Sequence, residues 1–348
     1  MGSNQVILTY AAYSINPTER LASSSGGIFS LLARGIFSQG GVVYGVAMSE
    51  DCKTAEFIRV TDIGGLEKLQ GSKYLQAHVG TIFKQVQNDL ENHTTVLFSG
   101  TGCQVNGLKG FLGKDYSNLY CIDVVCHGAP SPALWREYVN HVEDKNGAHL
   151  VNVNFRCKSD SWTNFGMREE DDRNQSVYIS KDKDPYMVMF LQNYSLRPSC
   201  YECKAKEIKR SDMTIADFWG IDDVAPEMND GKGTSLVLVR TEKGRTLFEG
   251  IQEHIKLKQV SYSDGVRWNS AEFQSVSRPK ERDCFFVDMQ KMSFEELRLK
   301  YGLPATVPFK RKVKAFIKRI LISAKIIGGG AEGKIGNYGI LFTFENRE

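Results

Sequence analysis

The chain contains no long apolar run and no strong imbalance of charge. No stretch approaches the roughly 18 consecutive apolar residues that a membrane-spanning helix needs, and the first residues lack a basic region followed by an apolar one. The net charge of the 348 residues is only +3, which is too small to indicate binding of nucleic acid. We therefore expect a cytoplasmic protein that has no nucleic-acid partner.

What the chain does contain is an ordinary globular composition and eight cysteines. Hydrophobic residues make up 41% and charged residues 24% of the sequence, which argues against a disordered or fibrous class. A chain of this length can form one large α/β domain or two lobes. In a reducing compartment, eight cysteines are more often core thiols, catalytic thiols or metal ligands than disulfides.

Two consecutive units of strand, small-residue loop and helix indicate a parallel sheet. Short apolar runs at 95–99 and 118–125 are each followed by such a loop and then by a helical segment. Units of this kind form parallel strands with right-handed crossovers. We predict an α/β fold with α+β elements, in which a mixed sheet carries a cysteine-bearing crevice at the carboxyl ends of its parallel strands.

Four of the cysteines can be placed at that crevice. Cys103 and Cys126 directly follow the two predicted strands, so adjacent strands would hold both thiols at one edge of the sheet. Cys200 and Cys203 have the spacing that lets two thiolates of one turn reach a single metal or cluster, and basic residues follow them. Four thiolates can bind zinc or a 4Fe-4S cluster. We favour the cluster, because two of the ligands would come singly from strand ends at the crevice.

The remaining cysteines are predicted to be structural. Cys121 lies within a strand, Cys157 lies in another, and Cys284 precedes two phenylalanines, so all three are expected to be buried or half-buried. Cys52 falls in the turn of a predicted hairpin, 41–48 and 55–60, and has no expected role.

A loop of hydroxyl residues and glycines precedes a helix predicted over 28–37. Ser24, Ser25, Gly26 and Gly27 form this loop. The amide groups and dipole of a helix N-terminus suit a phosphate, although Ser and Gly at such a position more commonly act as simple caps.

Two further polar residues are candidates for chemistry. Lys73, in the loop at 70–74, can offer its ammonium group to a cofactor, and His127 can act as a ligand or an acid–base group beside Cys126. The ordinary alternatives are a solvated lysine and a histidine that hydrogen-bonds the backbone.

The chain divides into three parts on composition and pattern. Residues 1–20 are a lead-in, residues 21–290 are the main domain with a sub-lobe at 151–195, and residues 291–348 are an extension. Basic and apolar residues alternate at helical spacing over 310–325, with no acid. This pattern predicts a basic amphipathic helix that either contacts an anionic membrane or an acidic partner, or packs on its own domain.

Several stretches taken together match the pattern of a known family. They are 24–30, 70–74, 97–104, 122–128, 154–156, and 200–203 with 212–220. On these motifs the chain resembles the beta-subunit family of the coenzyme F-420 hydrogenases and dehydrogenases over about residues 8–290. The resemblance implies FAD, one 4Fe-4S cluster close to it, and electron transfer between the two. It implies cluster ligation at Cys103, Cys126, Cys200 and Cys203, and flavin or phosphate contacts at Ser25, Gly26, Gly27 and Lys73.

The chain departs from the family pattern in three respects. Gly102 stands where the family usually has proline. The N-terminal ferredoxin-like module of many relatives is missing, so the donor is expected to be a separate ferredoxin or ferredoxin-like subunit, unless the chain is truncated. No residues identify a site for the deazaflavin coenzyme.

Two functions of different classes follow from these observations. The first is a cytoplasmic iron-sulfur flavoprotein oxidoreductase that reduces a small organic molecule, with polysaccharide biosynthesis as the setting that bacterial relatives imply. The alternative is a non-catalytic, zinc-stabilised scaffold protein that attaches to a membrane assembly through 310–325.

Overall fold

An eight-stranded mixed sheet forms the centre of the computed structural model, which describes residues 7–159 and 161–303. Its strands are β1 (Leu8–Ser14), β2 (Val42–Met48), β3 (Ala55–Val60), β4 (Val96–Thr101), β5 (Leu119–Val124), β9 (Met213–Asp217), β10 (Ser235–Val239) and β11 (Ile255–Val260). A separate antiparallel sheet contains β6 (Leu150–Cys157), β7 (Gly166–Asp171) and β8 (Ser176–Ser180).

Twelve helices surround the two sheets in the described part of the chain. They are α1 (Pro17–Ala22), α2 (Ile28–Ser38), α3 (Leu66–Leu69), α4 (Ile82–Glu91), α5 (Gly102–Leu112), α6 (Pro132–Asn146), α7 (Pro185–Leu191), α8 (Ile221–Val224), α9 (Glu242–Glu249), α10 (Tyr262–Val266), α11 (Arg282–Met289) and α12 (Phe294–Tyr301). None of them is both long and apolar enough to cross a bilayer. The basic helix predicted at 310–325 lies outside the described residues.

The strand order confirms the predicted mixed α/β fold. The order is β11-β1-β10-β9-β5-β4-β2-β3, and β2, β4, β5 and β9 are parallel neighbours. The outer strands pair antiparallel, including the predicted hairpin of β2 and β3. The carboxyl ends of β4, β5 and β9 therefore meet at one edge of the sheet.

The central strands are apolar because both of their faces are covered, as a parallel sheet requires. Along β4, Val96 and Phe98 contribute to one core cluster and Leu97 contributes to the other. This alternation follows from the two-residue period of a strand. The small sheet buries Phe155 and Met167 in the same cluster as Phe98.

Three local boundaries differ from what the sequence pattern alone predicts. The pattern predicts a helix over about 77–91, but the helix begins at Ile82, because His78 is paired with the edge of β3 through its backbone. The pattern also predicts a helix over 244–255, but this helix ends at Glu249, and Ile255 belongs to β11. The polar segment at 260–279 is predicted to be irregular, but it contains α10.

The structural cysteines lie mostly where the sequence placed them. Cys121 is buried in β5, and Cys157 is half-buried at the end of β6. The prediction for Cys284 was wrong, because its side chain is exposed while the next residue, Phe285, turns into the core. Cys52 is buried in its turn, where its carbonyl accepts a hydrogen bond of 2.7 Å from Trp135 Nε1.

Candidate functional site

A cavity of about 360 Å³ lies at the carboxyl ends of β4, β5 and β9. This volume is within the range of small-molecule and cofactor pockets. Most of the candidate residues line the cavity: Ser24, Ser25, Gly27, Lys73, Cys103, Cys126 and His127. The cavity thus brings together side chains from stretches that are up to a hundred residues apart in the sequence.

Cys103 is held at the start of α5 by a capping box. Gln104 Oε1 accepts a hydrogen bond of 2.8 Å from the Thr101 amide, and Thr101 Oγ1 lies 3.2 Å from Cys103 Sγ. The Cys103 thiol is exposed at this helix N-terminus. A Cβ on Gly102 would lie 2.9 Å from Asp123 Oδ2, so a glycine at this position leaves room for that buried carboxyl group.

Cys126 lies in the loop after β5, close to the other three candidate ligands. Burial raises the pKa of its thiol to about 12, the Lys206 ammonium opposes this rise, and the charges of Cys103, Cys200 and Cys203 add to it. Lys206 Nζ also donates to the Cys126 carbonyl at 2.5 Å and to the Ala271 carbonyl. The four thiols predicted as one ligand set are therefore within electrostatic range of one another.

Cys200 is the last residue of one short 3₁₀ turn, Pro198–Cys200, and Cys203 caps the start of the next, Lys204–Lys206. The Ala129 amide donates to Cys200 Sγ at 3.4 Å, and the Cys203 amide donates to Ser275 Oγ at 2.9 Å. We call the four thiols with these supporting groups the cysteine side of the site.

The spacing of the four thiols can be compared with two kinds of metal site. A zinc ion would need its ligands about 2.3 Å from a single point. Within residues 7–159 and 161–303, no group of three or more His, Cys, Asp or Glu side chains is placed to hold a metal ion in this way. A 4Fe-4S cluster binds each thiolate to a different iron, so its ligands surround a larger volume.

Another part of the cavity lining consists of Ser24, Ser25, Gly27 and Lys73; together with Gly26, we call these residues the serine–glycine side. Ser24 Oγ lies 2.9 Å from Ser72 Oγ, and Ser25 Oγ donates to the Thr234 carbonyl at 2.8 Å. Gly27 caps α2 with a φ of 87°, which favours glycine. Gly26 does not line the cavity; a Cβ there would lie 2.5 Å from the Ala12 carbonyl oxygen, so it is a packing position.

Lys73 is tied to its own loop. Its ammonium group donates to the carbonyls of Lys68 at 2.9 Å, Gln70 at 2.6 Å and Gly71 at 3.4 Å. Burial lowers its pKa to about 7. The side chain lines the cavity while it holds the turn at 68–73 together.

His127 is anchored by a side chain and not by the backbone. Its Nε2 lies 2.6 Å from Asn193 Oδ1, and its ring meets Phe190 edge-on with 5.2 Å between centroids. Burial lowers the pKa of the imidazole. An imidazole that donates from Nε2 to an amide oxygen keeps Nδ1 as an acceptor.

The structure also reveals site residues that sequence reasoning missed. Arg156 and Asp217 form an ion pair of 2.8 Å between the stretches 154–156 and 212–220, and Asp217 lines the cavity. The Arg156 guanidinium is buried and lies over the Phe165 ring, 3.9 Å from its centroid. Arg197 also lines the cavity. The sequence contains one signal for this ion pair: both of its residues lie in stretches, 154–156 and 212–220, that belong to the family motifs.

Residues 212–220 also make contacts that stabilise the fold. Asp212 Oδ2 accepts from the Cys121 amide at 2.8 Å, and Oδ1 accepts from Thr241 Oγ1 at 2.7 Å. Gly220 has a φ of 78° and lies directly against the Trp268 ring, where a Cβ would clash. These contacts hold β9 and its carboxyl end in place beside β5.

Comparisons with known proteins found a family match and a similar fold. Residues 93–264 match the family described as the C-terminal part of the coenzyme F420 hydrogenase/dehydrogenase beta subunit. No curated protein sequence matches the chain. The fold is similar to that of a chain in the xenon-derivatised F420-reducing [NiFe] hydrogenase complex from Methanosarcina barkeri. The TM-score is 0.52 at 12% identity, with 78% of this chain and 90% of that chain covered. Residues 93–264 therefore match the C-terminal part of the coenzyme F420 hydrogenase/dehydrogenase beta subunit, the family that the sequence motifs predicted.

Proposed function

We propose that the protein is an iron-sulfur flavoprotein oxidoreductase. Electrons would pass between a ferredoxin-like donor, a 4Fe-4S cluster and FAD, and would reduce a small organic molecule. The observation that carries the proposal is the electrostatic interaction among four thiols from two distant parts of the chain, of which Cys103 and Cys126 line a cavity of cofactor size. The family match supports redox chemistry, since the family comprises hydrogenase and dehydrogenase beta subunits.

The cysteine side supplies the groups that a cluster needs. Cys103, Cys126, Cys200 and Cys203 would be its ligands, and a cluster bound there would exchange single electrons. The Ala129 amide donates to Cys200 Sγ, and such a bond favours the thiolate form. The ammonium group of Lys206 has the same effect on Cys126. These groups lower the cost of gathering four negative sulfurs in one place.

The serine–glycine side would hold the flavin and its phosphates. The bound flavin can store two electrons. Ser24, Ser25 and Gly27 lie at the N-terminus of α2, where backbone amides and the helix dipole favour an anion. When protonated, Lys73 would place a positive charge at the same cavity. His127 would hold or accept a proton at Nδ1, since its Nε2 is engaged by Asn193.

The proposed function also includes a partner protein and a biological setting. The structural relative is part of a hydrogenase complex, which supports a partner subunit, and a ferredoxin-like protein is the proposed donor. The cysteine side contains free thiols, which stay available for iron in a reducing compartment such as the cytoplasm. We retain polysaccharide biosynthesis as the proposed setting and a membrane contact through 310–325 as a proposed attachment. Nothing in the cavity identifies the deazaflavin coenzyme.

The proposal is tested by anaerobic purification followed by a visible spectrum and by iron, zinc and flavin analysis. We expect a brown protein with flavin absorption, about four irons and one FAD per chain. A cluster without flavin would contradict the assignment of the serine–glycine side alone. A colourless protein that contains zinc and no iron would contradict the whole proposal.

A further inference from the structure

Arg197 brings to the cavity a guanidinium group that forms no ion pair with the described part of the protein. The residue is exposed and lines the cavity. Its guanidinium takes part in no hydrogen bond, ion pair or ring contact within residues 7–159 and 161–303. Burial raises the pKa of the Cys200 thiol and the charge of Arg197 opposes this rise, so the two groups interact only at a distance. Most surface arginines without a protein partner are simply solvated. Two further observations indicate that Arg197 binds a ligand.

The first such evidence is a backbone that is fixed on both sides. The Arg197 amide donates to the Ala129 carbonyl at 3.0 Å, and the Cys200 amide donates to the Arg197 carbonyl at 2.9 Å. Pro198 follows directly and restricts the chain further. A rigid backbone with a free charged head group lowers the entropy that a binding residue loses when it meets its ligand.

The second piece of evidence is the charge of the cavity lining. Besides His127, its ionisable nitrogen and oxygen groups include Lys73, Arg197 and Asp217. Lys73 already donates to three carbonyls, and Asp217 is paired with the buried Arg156. Among these three charged groups of the described lining, Arg197 is therefore the one that has no hydrogen-bonded partner. An anionic ligand would provide that partner.

We propose that Arg197 binds the anionic group of the organic substrate. This inference rests on the proposed oxidoreductase function and adds the class of substrate, a small molecule with a carboxylate, phosphate or sulfonate group. The planar guanidinium can donate two parallel hydrogen bonds to such a group, which fixes its orientation as well as its position.

The phosphates of the flavin are a second kind of anion that Arg197 could bind, but in the proposed site they would lie at a different place. Gly26 of the serine–glycine side is hydrogen-bonded to Ser235 of β10, whereas Arg197 is hydrogen-bonded to the loop after β5. β9 lies between β10 and β5. The backbone anchors of the two regions are therefore about 10 Å apart, two interstrand spacings, so we assign Arg197 to the substrate and test the flavin alternative below.

The experiment compares a charged and a neutral probe of nearly the same shape. Naphthalene-2-sulfonate and naphthalene-2-sulfonamide are titrated into the anaerobically purified holoprotein by calorimetry. We expect Arg197→Gln to weaken binding of the sulfonate about tenfold and to leave binding of the sulfonamide unchanged. Arg197→Lys should retain part of the affinity, because it keeps the charge but loses the planar fork.

Arg210→Gln is the matched control. Arg210 is exposed and lies outside the cavity lining, so this variant removes the same charge from the same surface loop. It should leave the affinity for both probes unchanged.

Four outcomes would overturn the proposal. They are an equal loss of affinity for both probes, no loss for the sulfonate, a wild-type protein that fails to bind the sulfonate at millimolar concentration, and an Arg197→Gln protein that loses flavin while it keeps its sulfonate affinity. The last would assign Arg197 to the cofactor. Failure of the oxidoreductase proposal is recognised separately, by the absence of iron and flavin from the wild-type protein.

Discussion

The two sides of the cavity differ in how their polar groups are used. On the serine–glycine side, Ser24, Ser25 and Lys73 are already hydrogen-bonded to other parts of the protein. On the cysteine side, protein groups contact the sulfurs: the Ala129 amide donates to Cys200 Sγ, and Thr101 Oγ1 lies 3.2 Å from Cys103 Sγ. The polar groups of the serine–glycine side are thus used within the fold, whereas we propose that the sulfurs of the cysteine side bind an additional ligand.

This difference leads us to expect different consequences of substitution. A change on the cysteine side should remove the bound metal and spare the fold, whereas a change on the serine–glycine side should weaken the fold first. Three predictions test the contrast, beginning with the largest effect.

Replacement of one proposed cluster ligand should abolish iron binding. Cys203→Ala is expected to reduce iron from about four atoms per chain to near zero, while the free energy of unfolding of the metal-free protein changes by less than about 0.5 kcal/mol, since the side chain is half-exposed. Iron analysis and anaerobic denaturation measure the two effects.

Cys121→Ala is the matched control for this prediction. Cys121 is fully buried in β5, so the variant should keep its iron and lose about 1 kcal/mol of stability. If the two variants retained the same amount of iron, the ligand assignment would be wrong.

A methyl group at position 26 should destabilise the fold. Gly26→Ala places a Cβ 2.5 Å from the Ala12 carbonyl oxygen and 2.9 Å from the Ser235 amide, so β1 and β10 must shift. We expect a loss of about 2–3 kcal/mol in the free energy of unfolding, measured by chemical denaturation.

Gly110→Ala provides the comparison for Gly26→Ala. Gly110 lies in α5 with open space around its Cα, so alanine should stabilise the protein by up to about 1 kcal/mol. Equal effects of the two substitutions would show that the serine–glycine side is less tightly packed than we describe.

The smallest expected effect concerns pH. The pKa of Lys73 is lowered by burial from 10.5 to about 7, so between these values the unfolded chain binds more protons than the folded one. Stability should therefore rise with pH across this window, by on the order of 1–2 kcal/mol. Below pH 7 both states are protonated, and this dependence of stability on pH disappears.

Lys73→Met should flatten this dependence, because it removes the titrating group. Lys68→Met is the control, since Lys68 is exposed nearby and its removal should leave the slope unchanged. The measurement is the free energy of unfolding of the metal-free protein from about pH 6.5 to about pH 9.5, which spans most of the window in which the two states differ in bound protons. An identical slope in wild type and Lys73→Met would contradict the burial-driven shift.

Local patterns in the sequence were sufficient to predict where Cys103 and Cys126 lie in the fold. Short apolar runs followed by small residues correctly placed Cys103 and Cys126 after neighbouring parallel strands, because the strand–loop–helix unit is a local structure with a fixed handedness. The predicted proximity of Cys200 and Cys203 to them agrees with the structure, although their role as ligands stays a prediction.

Contacts between distant parts of the chain could not be predicted in the same way. The position of β1 between β10 and β11 depends on partners more than 200 residues away. The Arg156–Asp217 pair and the free guanidinium of Arg197 depend on how loops meet above the sheet. The exposure of Cys284 could not be predicted either, for a local reason. Adjacent residues of a helix face different directions, so Cys284 lies in solvent while the next residue, Phe285, is buried in the core.

The place of β1 in the sheet has a consequence for biogenesis. β1 is the first strand of the described sheet in chain order, and it pairs with β10 and β11, the last two strands of that sheet. The Cys203 amide, in turn, is bonded to Ser275. A nascent chain that has exposed Cys103 and Cys126 therefore offers half of a ligand set on an open sheet. On the proposed ligand assignment, the four thiols come together only after Cys203 and its partner Ser275 have been synthesised, so iron would be delivered to a chain that already contains most of the described residues.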